Sequence, residues 1–413
     1  MVKDFFCREI KMNIKRNFKE MEKNWKKLMG IATLFVAAFA VSCDKDEDPI
    51  VDNGFVVVRE DLKGDLTTGD NVVLESGTYK LTGRLVVGDG AKLTIKAGVR
   101  IEATAVASAN DFGAVRYIAV AQGGQIFVEG TAAQPVVMTA TQTRPGAWGG
   151  LVLAGRAPIN KGATAQAEVS DLTYGGTLAN DNSGSIKYLR IEYSGFSYNS
   201  EKEFNGLSMF GVGNGTVIEN VQIYEGSDDG FEWFGGTVNA KNLIVNNISS
   251  EVGDDLFDWT EGWNGTGENW YGIRKNDGNR GIEADNNSNN HNAAPISSPT
   301  IRNLTLIGNG EGGPEPQAIK LRVGTKAIFD NVVLSNWKAG FDVQHDEGIA
   351  YVGNGQIKAT NVRFINVGTK SVGKNTAGVE SDITVMFTEN ANATGAGNGA
   401  GVPAWAQGWT VGL

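Results

Sequence analysis

Asn220-Val221-Gln222-Ile223 returns as Asn242-Leu243-Ile244-Val245, Asn303-Leu304-Thr305-Leu306, Asn331-Val332-Val333-Leu334 and Asn361-Val362-Arg363-Phe364. Each copy reads Asn, apolar, any residue, apolar. Ile186-Lys187-Tyr188-Leu189-Arg190-Ile191 is an earlier copy with Tyr188 in the Asn slot. The period of two makes each copy a strand with one buried face. A second element lies between the copies: Gly206-Leu207-Ser208-Met209, Gly230-Phe231-Glu232-Trp233, Leu256-Phe257-Asp258-Trp259, Gly281-Ile282-Glu283-Ala284, Ala318-Ile319-Lys320-Leu321 and Gly340-Phe341-Asp342-Val343. Its copies recur about every 22 to 26 residues, except between Glu283 and Lys320, where an Asn-rich insertion around 286–299 supplies the excess. A repeat of this length with two or three short strands is one coil of a β-solenoid.

All copies run in one direction, so equivalent strands pair in parallel and equivalent side chains stack about 4.8 Å apart. A stacked Asn at a bend can bond its own coil and the Asn above, so the Asn column reads as structural. Upstream, Leu85-Val86-Val87, Leu93-Thr94-Ile95, Ile118-Ala119-Val120, Ile126-Phe127-Val128 and Val136-Val137-Met138 are further short strands between Gly-rich turns. The expected architecture is all-β: a single parallel β-helix over 55–413. Residues 55–80 are expected to cap its first coil, and the tail after 370, with Trp405 and Trp409, its last.

The segments Gln122-Gly123-Gly124-Gln125-Ile126, Gly130 through Val136, and Trp148-Gly149-Gly150-Leu151-Val152-Leu153 resemble coils of pectin-lyase-like β-helix proteins. The resemblance spans about residues 65–370 and implies a right-handed helix, in keeping with the general preference for right-handed crossovers.

The N-terminus sets the compartment. Lys23, Lys26 and Lys27 precede an apolar run from Leu28 to Val41, which ends in Ala40-Val41-Ser42-Cys43. A basic region, a short apolar region and small residues before the cut describe a secretory signal over 1–42. The run is shorter than the roughly 20 residues a spanning helix needs. Met12 and Met21 are alternative starts. The cysteine resembles the lipobox of bacterial lipoproteins, which implies lipidation at Cys43 and a lipid bilayer as partner. The acidic stretch Asp44-Lys45-Asp46-Glu47-Asp48 in the 43–54 tether resembles the signal that sends Bacteroidetes-type lipoproteins to the cell surface. The expected location is therefore the outer-membrane surface, where an outer-membrane transporter is a possible partner.

Composition removes several chemistries. The chain of 413 residues carries a net charge of −10 with a pI near 5.0, which argues against nucleic acid. The two cysteines are Cys7 and Cys43, so the mature chain has no disulfide or thiol chemistry. Only two histidines are present, which excludes a three-histidine zinc site. No phosphate-cradling loop or nucleophile elbow occurs. His291, in the Asn-rich insertion, and His345, beside Asp346 and Glu347, read as surface residues and not as catalytic ones.

Chemistry concentrates on successive coils. Asp228-Asp229 precede Gly230-Phe231-Glu232; Asp254-Asp255 precede Leu256-Phe257-Asp258; Asn279-Arg280 precede Gly281-Ile282-Glu283-Ala284-Asp285. Coil alignment gives one column of Asp229, Asp255, Arg280 and Gln317. It gives a second of Glu232, Asp258, Glu283, Lys320 and Asp342, with Arg322 beside Asp285. Carboxylates stacked this closely repel, and a basic neighbour, a raised pKa or a cation must offset that. Oxygen ligands from several coils suit Ca²⁺, with Asp229, Asp255 and Asp258 as the expected ligands. Trp233 and Trp259 read as core, while Trp263, Trp270 and Tyr271 are candidates for stacking on sugars.

Three functions are expected of this face: binding of an extracellular glycan, lyase or glycosidase action on a polysaccharide, or a structural and adhesive role. In β-helix lyases an Arg or Lys acts as base beside carboxylate-bound calcium, which here points to Arg280 or Lys320. Asp228-Asp229 resembles the Asp pair of polygalacturonase-type hydrolases, but Asn279-Arg280-Gly281 stands where their Gly-His-Gly would fall.

Overall fold

A computed structural model gives the structure of residues 54–105, 114–199, 202–248, 253–274, 278–310 and 317–413. The signal segment, Cys43 and nearly all of the tether lie outside the described residues. The chain winds as a single right-handed parallel β-helix in which 24 strands belong to one continuous hydrogen-bonded system. Three sheets run along its length. The first contains Ile118–Val120, Leu151–Ala154, Leu207–Phe210, Phe231–Phe234, Phe257–Thr260, Ile282–Ala284, Gln317–Leu321, Ala339–Gln344 and Thr369–Lys374, each paired in parallel with the next. The second and third share long strands that bend in the middle, such as Val217–Tyr224, Asn239–Asn247, Thr266–Arg274, Thr300–Ile307 and Ala327–Ser335.

The repeated Asn makes that bend. Asn220, Asn242, Asn269, Asn303, Asn331 and Asn361 all hold φ between 55° and 59°, and Tyr188 takes the same conformation at 51°. Asn tolerates this left-handed region better than most residues. Its side chain also completes a ladder: Asn242, Asn269, Asn303 and Asn331 each donate from Nδ2 to Oδ1 of the Asn one coil before, all at 2.8 Å. Asn269 escapes the sequence pattern because Gly272 occupies the second apolar place, where a Cβ would meet Leu256 and Leu306.

Inside, alternate residues of all three sheets make one continuous core. Trp233, Trp259, Trp263 and Trp270 are fully buried, and Trp233 stacks on Trp263 and Trp270 at 4.6 and 4.9 Å. Trp233 and Trp259 are therefore core, as the alternation indicated. Trp263 and Trp270 are core too, and Tyr271 is covered by the C-terminal tail, so none of the three offers a face to a sugar.

The expected cap at the first coil differs, and at the last coil only part of the tail acts as one. Residues 55–80 contain coil structure from Leu62–Leu66 onward, which already pairs with Thr78–Val87. At the other end, Ile383, Met386 and Phe387 join the core, with Phe387 stacked on Phe341, and helix α1 (His345–Gly353) packs Val352 and Ile349 beside them. The final segment turns back along the third sheet instead. Trp409 packs with Ile244 and Tyr271 and meets Tyr188 edge-on, while Val411 exchanges two hydrogen bonds with the Gln222 side chain at 2.7 and 2.9 Å. Trp405 and Trp409 cover a flank because Ile244 and Tyr271 point outward there and need burial.

The outer face of the second sheet shows how this chain treats charge where only solvent is present. Lys96, Glu129, Lys187, Glu219, Lys241, Glu268, Arg302 and Asp330 stack on successive coils with strictly alternating sign. Ion pairs form at 2.8 Å (Lys96–Glu129) and 3.0 Å (Lys241–Glu268).

The Asn ladder yields the first prediction. Asn303→Ala loses both ladder bonds and places a Cβ-bearing residue without a compensating amide in the left-handed region. It is expected to lower unfolding free energy by about 2 kcal/mol in urea titration. Asn303→Gly keeps the conformation and is expected to cost about half as much.

Candidate functional site

Followed along the first sheet, one outward position reads Val86, Ala119, Val152, Ser208, Glu232, Asp258, Glu283, Lys320, Asp342 and Val372. Its early part is apolar because insertions cover it. Residues 155–183 and the hairpin Ser197–Asn199 with Lys202–Glu203 bury Ala119, Val152, Phe204, Phe210 and Phe234 outside the helix. The acidic part begins where that apolar cover ends, so it lies against the insertions and not on an open face. Asp255 is 1% exposed, Asp229 7%, Asp258 8% and Glu283 9%.

The aligned columns are present in the structure. Glu232, Asp258, Glu283, Lys320 and Asp342 are direct register partners. In the other column Asp229 Oδ1 accepts the Asp255 backbone N–H at 2.8 Å, and Asp255 Oδ1 accepts that of Arg280. Gly230 sits between the two columns at the corner: a Cβ there would meet the Leu256 carbonyl oxygen at 2.5 Å, so the coils approach closely only with this residue. Arg322 Nε donates to Asp285 Oδ1 at 2.8 Å, and its Nη2 donates to Glu283 Oε2. Asp254 is bonded by Asn279.

Eight carboxylates, Asp228, Asp229, Glu232, Asp254, Asp255, Asp258, Glu283 and Asp285, thus lie together with few cations. Arg280 contacts Asp255 Oδ2 at 3.2 Å and also Glu283, and Arg322 answers Glu283 and Asp285. Burial pushes the Asp255 carboxyl up to about 6, reinforced by Asp254 and opposed by Arg280. Burial pushes Glu283 up to about 8, with Asp255 adding to it and Arg322 and Arg280 opposing. Asp228, Asp229, Glu232 and Asp258 are raised well above the usual carboxylate range, first by burial and then by one another and by the acids around them.

These oxygens fall into three groups that could hold a metal ion: Asp228, Asp229 and Asp254; Asp229, Glu232 and Asp258; Asp255, Asp258 and Glu283. Within each, ligand atoms lie inside 4.8 Å of one another. The expected trio of Asp229, Asp255 and Asp258 is therefore divided. Asp258 serves two groups, one with Asp229 and Glu232 and the other with Asp255 and Glu283, because the columns are offset by the corner. The donors are all hard oxygens. Asp258 Oδ1 and the Oδ1 of Asn205 are buried without a hydrogen-bond partner. Both observations fit a cation of the Ca²⁺ or Mg²⁺ kind.

Several residues escaped the sequence reading. Asn205 donates to Glu232 Oε2 at 2.6 Å and to Ser208 at 3.2 Å. Extending the Asp229 column one coil back, to Asn205-Gly206-Leu207-Ser208, would have found it. Buried Arg274 donates to the Asp254 carbonyl oxygen at 2.5 Å and fixes the loop that carries the acids. Glu168 and Glu203, from the two insertions, face the row closely enough to raise Asp228, and Glu168 also raises Glu232. Glu168 is itself pushed up to about 7 by burial. Tyr174 donates to Glu261 at 2.5 Å and ties the 155–183 insertion to the coil. No local pattern announces residues of insertions. His291 and His345, which read as surface residues, are neighbours with ring centroids 4.7 Å apart.

A parallel β-helix whose first sheet carries a buried row of carboxylates over several coils defines the class. The chain belongs to the pectate-lyase-like β-helix domain family, whose profile matches residues 64–410. No curated protein and no solved structure gave a significant match to the chain.

The groove also makes stability depend on pH. An acid whose folded pKa exceeds its unfolded value holds protons in the folded chain that the unfolded chain has released, so stability falls as pH rises through that interval. In a chelator, the melting temperature is expected to fall from about pH 4 upward, through the windows from 3.8 to about 6 for Asp255 and from 4.5 to about 8 for Glu283. Asp258→Asn is expected to raise stability in chelator by on the order of 1–3 kcal/mol, read by the same thermal scans, because one buried like charge is removed.

Proposed function

We propose that the protein is an exported lipoprotein, anchored through Cys43 at the outer-membrane surface, whose first-sheet groove binds an extracellular glycan through a divalent cation. Calcium is the cation that best suits these ligands. The observation that carries this reading is the set of three overlapping carboxylate groups sharing Asp229 and Asp258, held buried with an oxygen left unpaired. The second sheet alternates its charges over eight successive positions, whereas Glu232, Asp258 and Glu283 repeat one sign on adjacent coils. That departure costs free energy, and a bound cation would offset it.

The cation also decides the ligand. The groove repels an anionic sugar unless a metal intervenes, so an acidic polysaccharide would bind through ligand–cation–carboxylate bridges. Its carboxylate and hydroxyl oxygens would complete the coordination shell that Ca²⁺ requires. Arg280 and Arg322, both paired to groove carboxylates, would orient such a ligand at the edge of the row.

A lyase reading draws on Lys320, which directly follows Glu283 in the row. With a uronate carboxylate on the cation, a base there would take the proton from the carbon next to that carboxylate. A double bond would then form as the bond to the neighbouring sugar's oxygen breaks, and that oxygen would leave with a proton. The hydrolase reading is weaker: Arg280, in the place of a hydrolase histidine, is held in ion pairs to Asp255 and Glu283.

Calorimetric titration with Ca²⁺, followed by titration with polyuronates and neutral glycans in calcium and in chelator, tests the proposal. Calcium is expected to bind and to raise the melting temperature at about 1 mM or below. Polyuronate binding is expected to vanish in chelator and in Asp258→Asn. Absence of calcium binding to the wild-type chain would overturn the reading. Release of unsaturated uronates by wild type but not by Lys320→Ala would establish the lyase form.

A further inference from the structure

His345 begins helix α1 directly after the first-sheet strand Ala339–Gln344, and His291 lies in the insertion between Ile282–Ala284 and Thr300–Ile307. His345 Nδ1 accepts the backbone N–H of Val323 at 3.1 Å. That nitrogen therefore carries no proton, and the neutral ring keeps its proton on Nε2. The Val323 carbonyl in turn accepts the Asn287 N–H of the insertion at 3.4 Å. His291 Nδ1 lies 3.2 Å from Glu347 Oε2, on the first turn of α1. Val323 is thus held through both its N–H and its carbonyl, and the grip joins three coils. It is held against strain, because Val323 has φ 39° and His345 φ 71°.

The gripped insertion follows Asp285 in the chain and is tied to the insertion that carries Asn160. Asn286 is fully buried within it, and its Oδ1 accepts from Ser297 N at 2.8 Å and from Asn160 of the other insertion at 2.8 Å. Asn287 returns a bond to Asn160 at 3.1 Å. Loosening residues 286–299 would therefore loosen both insertions.

We propose that His345 is a pH-sensitive clasp: its protonation expels the Val323 N–H from Nδ1 and releases the insertion at 286–299. The chemistry follows from the acceptor geometry, since a protonated ring has a hydrogen at both nitrogens and cannot accept. The groups facing His345 act in both directions. His291 from the insertion, Arg322 from the preceding coil and the positive end of α1 oppose a second charge. Glu347 on its own helix and Asp285 beside Arg322 favour one, while the Asp346 carboxylate accepts the Thr376 backbone N–H. Burial leads and the balance lowers the His345 pKa below its ordinary 6.5. The folded chain then binds fewer protons than the unfolded one, so the clasp is complete above that value and is lost as pH falls below it.

Hydrogen exchange of the full chain, at about pH 7.5 and about pH 5 and corrected for intrinsic rates, tests this without any ligand. Protection of 286–299 and of Val323 is expected to fall about tenfold at the lower pH in the wild type. His345→Asn places an amide oxygen near the position of Nδ1, does not titrate and tolerates positive φ; it is expected to keep equal protection at both values. Unchanged wild-type protection, or an equal loss in His345→Asn, would overturn the clasp. Should that variant not fold, NMR titration of the wild type decides: the Val323 amide must shift with His345 protonation, and independent behaviour refutes the proposal. Since no cation or glycan enters the experiment, its failure leaves the groove's function untouched.

Discussion

In a parallel coil every side chain stands about 4.8 Å from its counterpart one turn away, with little freedom to move aside. Whatever a residue type does to a copy of itself is repeated along the molecule. Asn profits, since its amide both donates and accepts, and a column of them closes its own hydrogen bonds through 2.8 Å steps from Asn220 to Asn331. Aromatic rings profit too, as the stacking of Phe231 on Phe257 shows. Charge does not, and the chain answers by alternating sign from Lys96 to Asp330.

The acidic groove breaks that rule in one place. Glu232, Asp258 and Glu283 stack without alternation, under insertions that remove the water which would have screened them. Desolvation and like-charge repulsion act together, which is why burial heads the causes for every raised acid in the row. Arg280, Arg322 and Arg274 stabilise parts of it, mainly at Asp255, Glu283 and the Asp254 loop. Asp229, Glu232 and Asp258, which meet at one point with Asp258 Oδ1 buried and without a hydrogen-bond partner, carry the strongest case for an exogenous cation. Strain of this kind concentrates at functional sites, where an otherwise costly arrangement acquires its partner on binding.

The insertions give the groove its character. Residues 155–183, the hairpin of Ser197–Asn199 with Lys202–Glu203 and residues 286–299 leave the coil pattern between regular strands; the first and last of these bond to each other through Asn160 and Asn286, and the first two cover the early part of the sheet face. They bring in Glu168 and Glu203, acids with no place in the repeat. The C-terminal tail does comparable work on the opposite flank, where Trp409 and Gln222 hold a strap over outward-facing Ile244 and Tyr271.

The sequence by itself determined the coil and its columns. Alternation over short strands, an Asn at each bend and spacings of about two dozen residues place Glu232, Asp258, Glu283, Lys320 and Asp342 in line, because a periodic backbone turns sequence spacing into vertical contact. Only the tertiary structure decided how deeply that line is buried, which three carboxylates meet at one point, that His291 faces His345, and that Trp405 and Trp409 cover a flank and not an end. These depend on insertions and a tail that carry no period, so their positions follow from long-range packing of particular side chains, which spacing cannot encode.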